Sequence, residues 1–391
     1  MKILFLTWKS FGNDDIHVAF RAKGHTVAEL PYDDKEEPND KAAIEKFMQQ
    51  VKNKNVDCVF SFNYFPVVAL ACKDLGIPYM SWIYDSPYVR LYHYSVVFPT
   101  NYIFVFDSSI YLEFRNNGIK TVHFLPMAAN TDRLSTMMNF DEFSRSEWNN
   151  KHEVAFIGSL YTEKHQFFQR LTKISDYTRG YLEGLMKAQM QVYGYNFIQD
   201  ILKKNPEIIK DMQQSLPMTP GNDSVETVEY LFAQYVINRQ ITAMERQEIL
   251  RDVSAKYGLD LYTPDKTLRL DGCTNHGSVD YYDTAPYVFK KAKINLNISL
   301  RSIITGMPLR AFDIMGAGGF LITNYQADFL EYFVPDEDFI YYDSKNDLMD
   351  KIDYYLKHDD ERIQIASNGL QKIREKHTYL HRVDEMLEFL S

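Results

Sequence analysis

The chain has 391 residues, 45% of them hydrophobic and 25% charged, with a net charge of -10, which is the profile of an ordinary globular protein long enough for two domains, each with its own core. This acidic balance, with a pI near 5.5 and basic clusters no longer than Lys290-Lys291, argues against a nucleic-acid partner, which needs a concentrated basic surface. No apolar run approaches the ~20 residues that span a bilayer, so no transmembrane segment is expected, and the opening MKILFLTWKSF is too short for a signal peptide. Cys58, Cys72 and Cys273 have neither metal-site nor disulfide spacing, so a cytoplasmic protein is expected.

In chain order, the first part alternates short apolar runs with helical stretches. Strands are expected at 2–6, 26–30, 58–62, 79–82, 102–106 and 122–124, and helices at 15–23, 41–53, 65–75 and 109–117. Apolar runs bounded by turn residues suit parallel strands buried on both faces. Right-handed crossovers then make an open α/β sheet with its functional loops at the carboxyl ends of the strands. The polar stretch 130–151 precedes a further strand at 154–157, so the first domain is expected over 1–150 and the second over 151–376. From 163 to 256 the chain is rich in Gln, Met, Glu and Lys and broken at LPMTPGNDS, which predicts a helical insertion in the second domain. Strand alternation resumes near Leu259, and the chain ends in an amphipathic helix, 377–391.

The most informative stretch is KINLNISLRSIITGMPLRAFDIMGAGGFLITN, from Lys293 to Asn324. It reads as strand, glycine-bearing loop, short helix, glycine turn and strand. Gly306 and Pro308 stand where the helix begins, and proline near the first helical position gives up an N–H that has no intrahelical partner. The other free N–H groups of that turn face any bound anion. Arg310 and Asp313, three residues apart, project from one face of the helix. A cation there suits a diphosphate and a carboxylate one turn later suits ribose hydroxyls, although the same spacing also makes an ordinary surface ion pair. Gly158 and Ser159, following the strand at 154–157, form a second turn at which backbone can approach a phosphate. Arg301, at a strand end, is a further candidate for the phosphates or a plain loop arginine. Asp85 in SWIYDSPY follows a strand end in the first domain, the place of a cleft residue. Asp14 follows the first strand, where it or Asp15 also serves as a helix N-cap, and Asp107 is read as a cap.

The run GMPLRAFDIMGAGGFLITN and its continuation through ADFLEYFVPDEDFIYYDSKNDLMDKIDYYLKHDDERIQIASNGLQKIREKHTY resemble the donor-nucleotide segment of GT-B glycosyltransferases, in particular the bacterial spore-maturation (CgeB-like) family. The resemblance is strongest toward the C-terminus, fair over the N-terminal part and weak between. It implies a GT-B fold, with two Rossmann-like domains facing across a cleft, the second holding a nucleotide-sugar and the first an acceptor, and a final helix crossing back to the first domain. It further implies that His276, Gly277 and Val279 lie near the base, held by backbone contacts, and that Asp14 occupies a loop where inverting members hold an acidic or histidine base. Many GT-B proteins have glutamate at the ribose position, where Asp313 is one methylene shorter. The expected activity is a hexosyl transfer from a UDP-sugar to a protein or polysaccharide acceptor. No cofactor beyond this donor and no metal is expected, since zinc, EF-hand and Walker A patterns are lacking and the DED at 336–338 falls in a loop read as a solvated turn. Two alternatives stand beside it: a non-catalytic nucleotide-sugar-binding scaffold, and a GT-B-type nucleotide-sugar epimerase.

Overall fold

A computed structural model describes the chain except for residues 34, 36, 138–150, 163–165 and 391. Contacts divide it into two compact units. The first comprises Met1–Asn130, Gly221–Glu226 and Lys376–Ser391, and the second Thr131–Pro220 and Thr227–Glu375. The expected boundary between 150 and 151 and the expected start of the insertion at 163 fall outside the described residues.

The first unit alternates β1 (Lys2–Thr7), α1 (Asn13–Ala22), β2 (Thr26–Pro31), α2 (Lys41–Lys54), β3 (Cys58–Phe62), α3 (Pro66–Leu75), β4 (Tyr79–Ile83), β5 (Asn101–Val105), α4 (Ser108–Asn116) and β6 (Val122–Phe124). The strands form one parallel sheet in the order β2-β1-β3-β4-β5-β6. Every residue of β3 and β4 is buried, as helices on both faces require. Helix starts are fixed locally. Asp40 caps α2 by accepting from the Ala42 and Ala43 N–H groups, and Asp107 caps α4 by accepting from Ser109 N at 3.0 Å, which is the role read for it. Gly12, not an aspartate, occupies the N-cap of α1 with φ 79, so Asp14 and Asp15 lie within the first turn.

The second unit holds α5 (Thr131–Thr136), β7 (Val154–Ile157), α6 (Asp176–Met190), α7 (Ile198–Lys204), α8 (Pro206–Ser215), α9 (Val228–Leu231), α10 (Asn238–Tyr257), β8 (Leu259–Tyr262), β9 (Cys273–Asn275), α11 (Ala285–Lys291), β10 (Ile294–Asn297), α12 (Leu309–Gly316), β11 (Leu321–Asn324), α13 (Phe329–Tyr332), β12 (Ile340–Tyr342), α14 (Lys345–Tyr355) and α15 (Asp359–Lys376). Its parallel sheet has the order β12-β11-β10-β7-β8-β9. Its two larger cores among the described residues support it. One packs the sheet against α10, α14 and α15. The other belongs to the helical insertion and gathers residues from Phe168 to Ile241, among them Leu182, Ile198, Met212 and Phe232.

The last helix, α16 (Tyr379–Glu388), is part of the first unit. The break at LPMTPGNDS likewise delivers 221–226 to the first unit, where Val225 N donates to Tyr92 O at 3.0 Å and Tyr94 N to Asp223 O at 2.9 Å.

Candidate functional site

The stretch that stands out in the sequence folds at the carboxyl ends of β7 and β10 and at the start of α12. Pro308 is the N-cap of α12, with no side-chain cap bond, and Gly306 is buried in the loop before it. Behind the helix the chain reverses tightly. Gly318 takes φ 74, and a Cβ on Gly319 would lie 2.5 Å from Phe289 O, so both positions favour glycine.

Arg310 leaves the first turn of α12 and lies against the Gly158 backbone. A Cβ on Gly158 would come within 2.8 Å of Arg310 Nη2, so glycine makes the room. The guanidinium donates through Nη1 to Asn297 Oδ1 at 3.2 Å and its carbon lies 5.6 Å from the centre of the Phe156 ring. No carboxylate is within ion-pair distance of it among the described residues. Burial first, and then the charge of Arg246, push Arg310 down to about 10, with Tyr161 and Asp313 acting the other way. It stays protonated at neutral pH. A desolvated cation beside another cation is unfavourable until an anion joins it.

The remaining candidates fall into place around this point, or away from it. Ser159 adjoins it: its Oγ accepts from Tyr161 N at 3.1 Å, and its carbonyl accepts from Arg246 Nη1. Asp313 does not pair with Arg310; its Oδ1 accepts from Tyr281 Oη at 3.0 Å, so the loop carrying His276, Gly277 and Val279 is tied to α12 through that tyrosine. His276 has its own engagements. Its N–H donates to Leu261 O at 2.8 Å, its ring Nε2 donates to buried Asp260 Oδ1 at 2.7 Å, and it stacks on Tyr262 with centroids 4.5 Å apart. Gly277 takes φ 80, with its N–H donated to Asn275 Oδ1 at 3.0 Å. Val279 packs on the cluster of Ala155, Tyr262, Val288 and Ala292.

Arg301 is a correction. It is 8% exposed and bidentate to Glu245, through Nε to Oε2 at 2.8 Å and Nη2 to Oε1 at 2.8 Å. Its other donors go to the Val192 and Met190 carbonyls at 2.8 and 3.1 Å. With its donors so used, it ties α10 and the end of α6 to the loop after β10, as a structural loop arginine. The DED turn needs a partial correction: Asp336 and Glu337 are exposed, but Asp338 is buried, accepts from Val334 N at 2.7 Å and pairs with Lys372. The described residues contain no group of three or more His, Cys, Asp or Glu side chains able to hold a metal, and none of their helices is long and apolar enough to cross a membrane.

In the first unit, exposed Asp85 follows β4. Buried Asn63, which takes φ 58 at the end of β3, donates through Nδ2 to Asp85 Oδ2 at 2.7 Å and accepts the Tyr84 N–H on Oδ1 at 3.2 Å. Trp8, after β1, stacks on Tyr84 with centroids 6.2 Å apart, so the loop that leads into α1 and the loop bearing Asp85 meet at the carboxyl edge of this sheet. Asp14 is exposed; its neighbour Asp15 is buried and accepts from Asn130 Nδ2 at 2.8 Å. Asn63, Asn297, Tyr281 and Arg246 escape a sequence reading, since each looks like an ordinary strand-end or helix residue until tertiary contacts place it.

Comparison with known proteins bears on the same segment. The glycosyl transferase-like family model matches residues 239–388, a stretch containing Arg246, Tyr281, Arg310 and Asp313. No curated protein sequence matches significantly. Solved structures similar over the whole chain include Anabaena HepE in complex with UDP-glucose, at TM-score 0.56 and 11% identity, covering 100% of this chain and 99% of that one. Sucrose-phosphate synthase from Thermosynechococcus elongatus has TM-score 0.56 and 10% identity, covering 100% and 98%. WaaG, a glycosyltransferase involved in lipopolysaccharide biosynthesis, has TM-score 0.53 and 11% identity, covering 98% of each chain. The chain thus has the GT-B fold, and its residues 239–388 match the glycosyl transferase-like family.

Proposed function

We propose that this protein moves a sugar from a UDP-sugar, held by the second unit, to a protein or cell-surface polymer acceptor, and does so without a metal ion. The observation that carries the reading is Arg310: a desolvated guanidinium with no carboxylate partner among the described residues, set against a glycine turn at the start of a helix. Such a place favours a diphosphate. Arg310 and the first turn of α12 neutralise the departing nucleoside diphosphate, the task that a metal performs in other transferases. Asp313, steadied by Tyr281, accepts from the ribose hydroxyls. The choice of uridine is supported by HepE, a protein of the same fold solved with UDP-glucose. The resemblance to CgeB-like proteins supports the acceptor class, and a nucleotide-sugar donor suits a cytoplasmic enzyme. On the acceptor side Asp85 is the general base, held by Asn63, with Asp14 as the second candidate.

A thermal-shift screen against UDP, GDP, ADP, CMP and dTDP, with and without added metal, tests the donor site. A nucleotide at a hundred times its Kd adds about 2.7 kcal/mol to the folded state, which raises Tm by several degrees. The expected result is a selective shift with UDP that metal does not change, followed by turnover of a UDP-sugar that Asp85→Asn abolishes while UDP binding persists. No shift with any nucleotide sinks the donor site, and a shift that needs metal overturns metal-independent transfer.

A further inference from the structure

The helical insertion brings two more arginines to the Gly158-Ser159 turn. Arg239 and Arg246 are separated by about two helical turns on α10, so they share a face, and both pack on Tyr161. Their guanidinium carbons lie 4.7 and 5.0 Å from the centre of its ring. Arg246 also lies 5.4 Å from the centre of the Phe156 ring, which Arg310 approaches to 5.6 Å. The three guanidinium groups are therefore linked through two aromatic rings at one turn.

Their hydrogen bonding differs. Arg246 is engaged with backbone, donating from Nε to Ile298 O at 3.0 Å, from Nη2 to the same carbonyl and from Nη1 to Ser159 O; it fixes the two loops that flank Arg310. Arg239 has no hydrogen bond or ion pair among the described residues, and its Nε is buried without an acceptor. A buried donor left unmade is destabilising.

Two further costs occur beside it. Tyr161 takes φ 58, a left-handed conformation that is strained for a tyrosine. The segment Phe232–Ile237, just before Arg239, is a π-helical turn, a form frequent at functional sites. The orphaned donor, the strained ring that supports it and the irregular turn that delivers it converge on the phosphate end of the donor site.

We propose that Arg239 is a second phosphate-binding residue of that site, leaving the Tyr161 ring to pair with the phosphate that Arg310 does not hold. The inference rests on the donor-site reading above. Calorimetric titration of wild type, Arg239→Gln, Arg239→Lys and Arg310→Gln with UDP, UMP and inorganic pyrophosphate tests it. Arg239→Gln is expected to weaken UDP and pyrophosphate about tenfold or more, the range for a bond to a charged group, and to weaken UMP far less. Arg239→Lys recovers part of the loss. Tm changes little, because among the described residues Arg239 makes no hydrogen bond or ion pair and only its contact with the Tyr161 ring is lost. Equal weakening of UDP and UMP, or unchanged UDP affinity in a protein whose UDP binding depends on Arg310, overturns the role of Arg239 alone. Wild type that binds neither UDP nor pyrophosphate overturns the donor site itself.

Discussion

Arg310 is the residue at which stability and function pull apart. Burial and the neighbouring Arg246 charge push it down to about 10, below the usual arginine value, so its protonated form is disfavoured in the folded state. For a base lowered on folding, the cost to stability is present throughout neutral pH and is relieved only as pH rises past the folded value. Arg310→Gln is therefore expected to weaken UDP binding about tenfold or more while Tm holds or rises slightly. A paired titration and melting experiment on the variant checks this. A drop in Tm with UDP affinity intact would show that Arg310 is structural, and the phosphate role would fall.

At the scale of elements, α10 organises the second unit's site. It carries Glu245 to the loop after β10, where Arg301 answers it with two hydrogen bonds of 2.8 Å. Tyr193 adds a third to Glu245 Oε1 at 2.5 Å, and Thr242 Oγ1 accepts from Arg301 N at 2.9 Å. Cutting one partner of a buried pair leaves the other charge uncompensated, a loss of about 3–5 kcal/mol. Arg301→Met should lower Tm by several degrees, whereas Arg301→Met combined with Glu245→Leu should lose less than the sum of the single losses. Strict additivity in that double-mutant cycle would mean the pair is not coupled. The sequence shows a helical stretch here and an arginine at a strand end, but which arginine is bound up by a carboxylate and which is open to a ligand depends on contacts between segments far apart in the chain.

At the scale of the molecule, the first unit is completed from the far end of the chain. α16 buries Tyr379, Arg382, Val383 and Met386, and Arg382 Nε donates to Pro126 O at 2.9 Å. Each large apolar side chain so buried contributes about 1.5–3 kcal/mol. A chain ending at Lys376 is expected to lose the cooperative melting of the first unit while the second, with its two larger cores, retains its own transition. Calorimetry of the truncated chain decides it, and an unaltered first-unit transition would refute the dependence.

Much of this architecture is legible in the sequence alone. Local order fixes the elements: β3, β6 and β7 run over the residues read as strands, because short apolar runs between turn formers have few other stable uses. The glycines at 318 and 319 and the proline at 308 mark the ends of α12 through backbone restrictions that act within a few residues. The α/β class and the GT-B resemblance follow from that local information. Tertiary structure alone decides which charges are compensated. Arg301 and Arg310 look equivalent as sequence, yet one meets Glu245 from α10 and the other, among the described residues, meets an amide, a ring and a glycine backbone but no carboxylate. Ion pairing and desolvation depend on distances in space, and no pattern of spacing along the chain sets them.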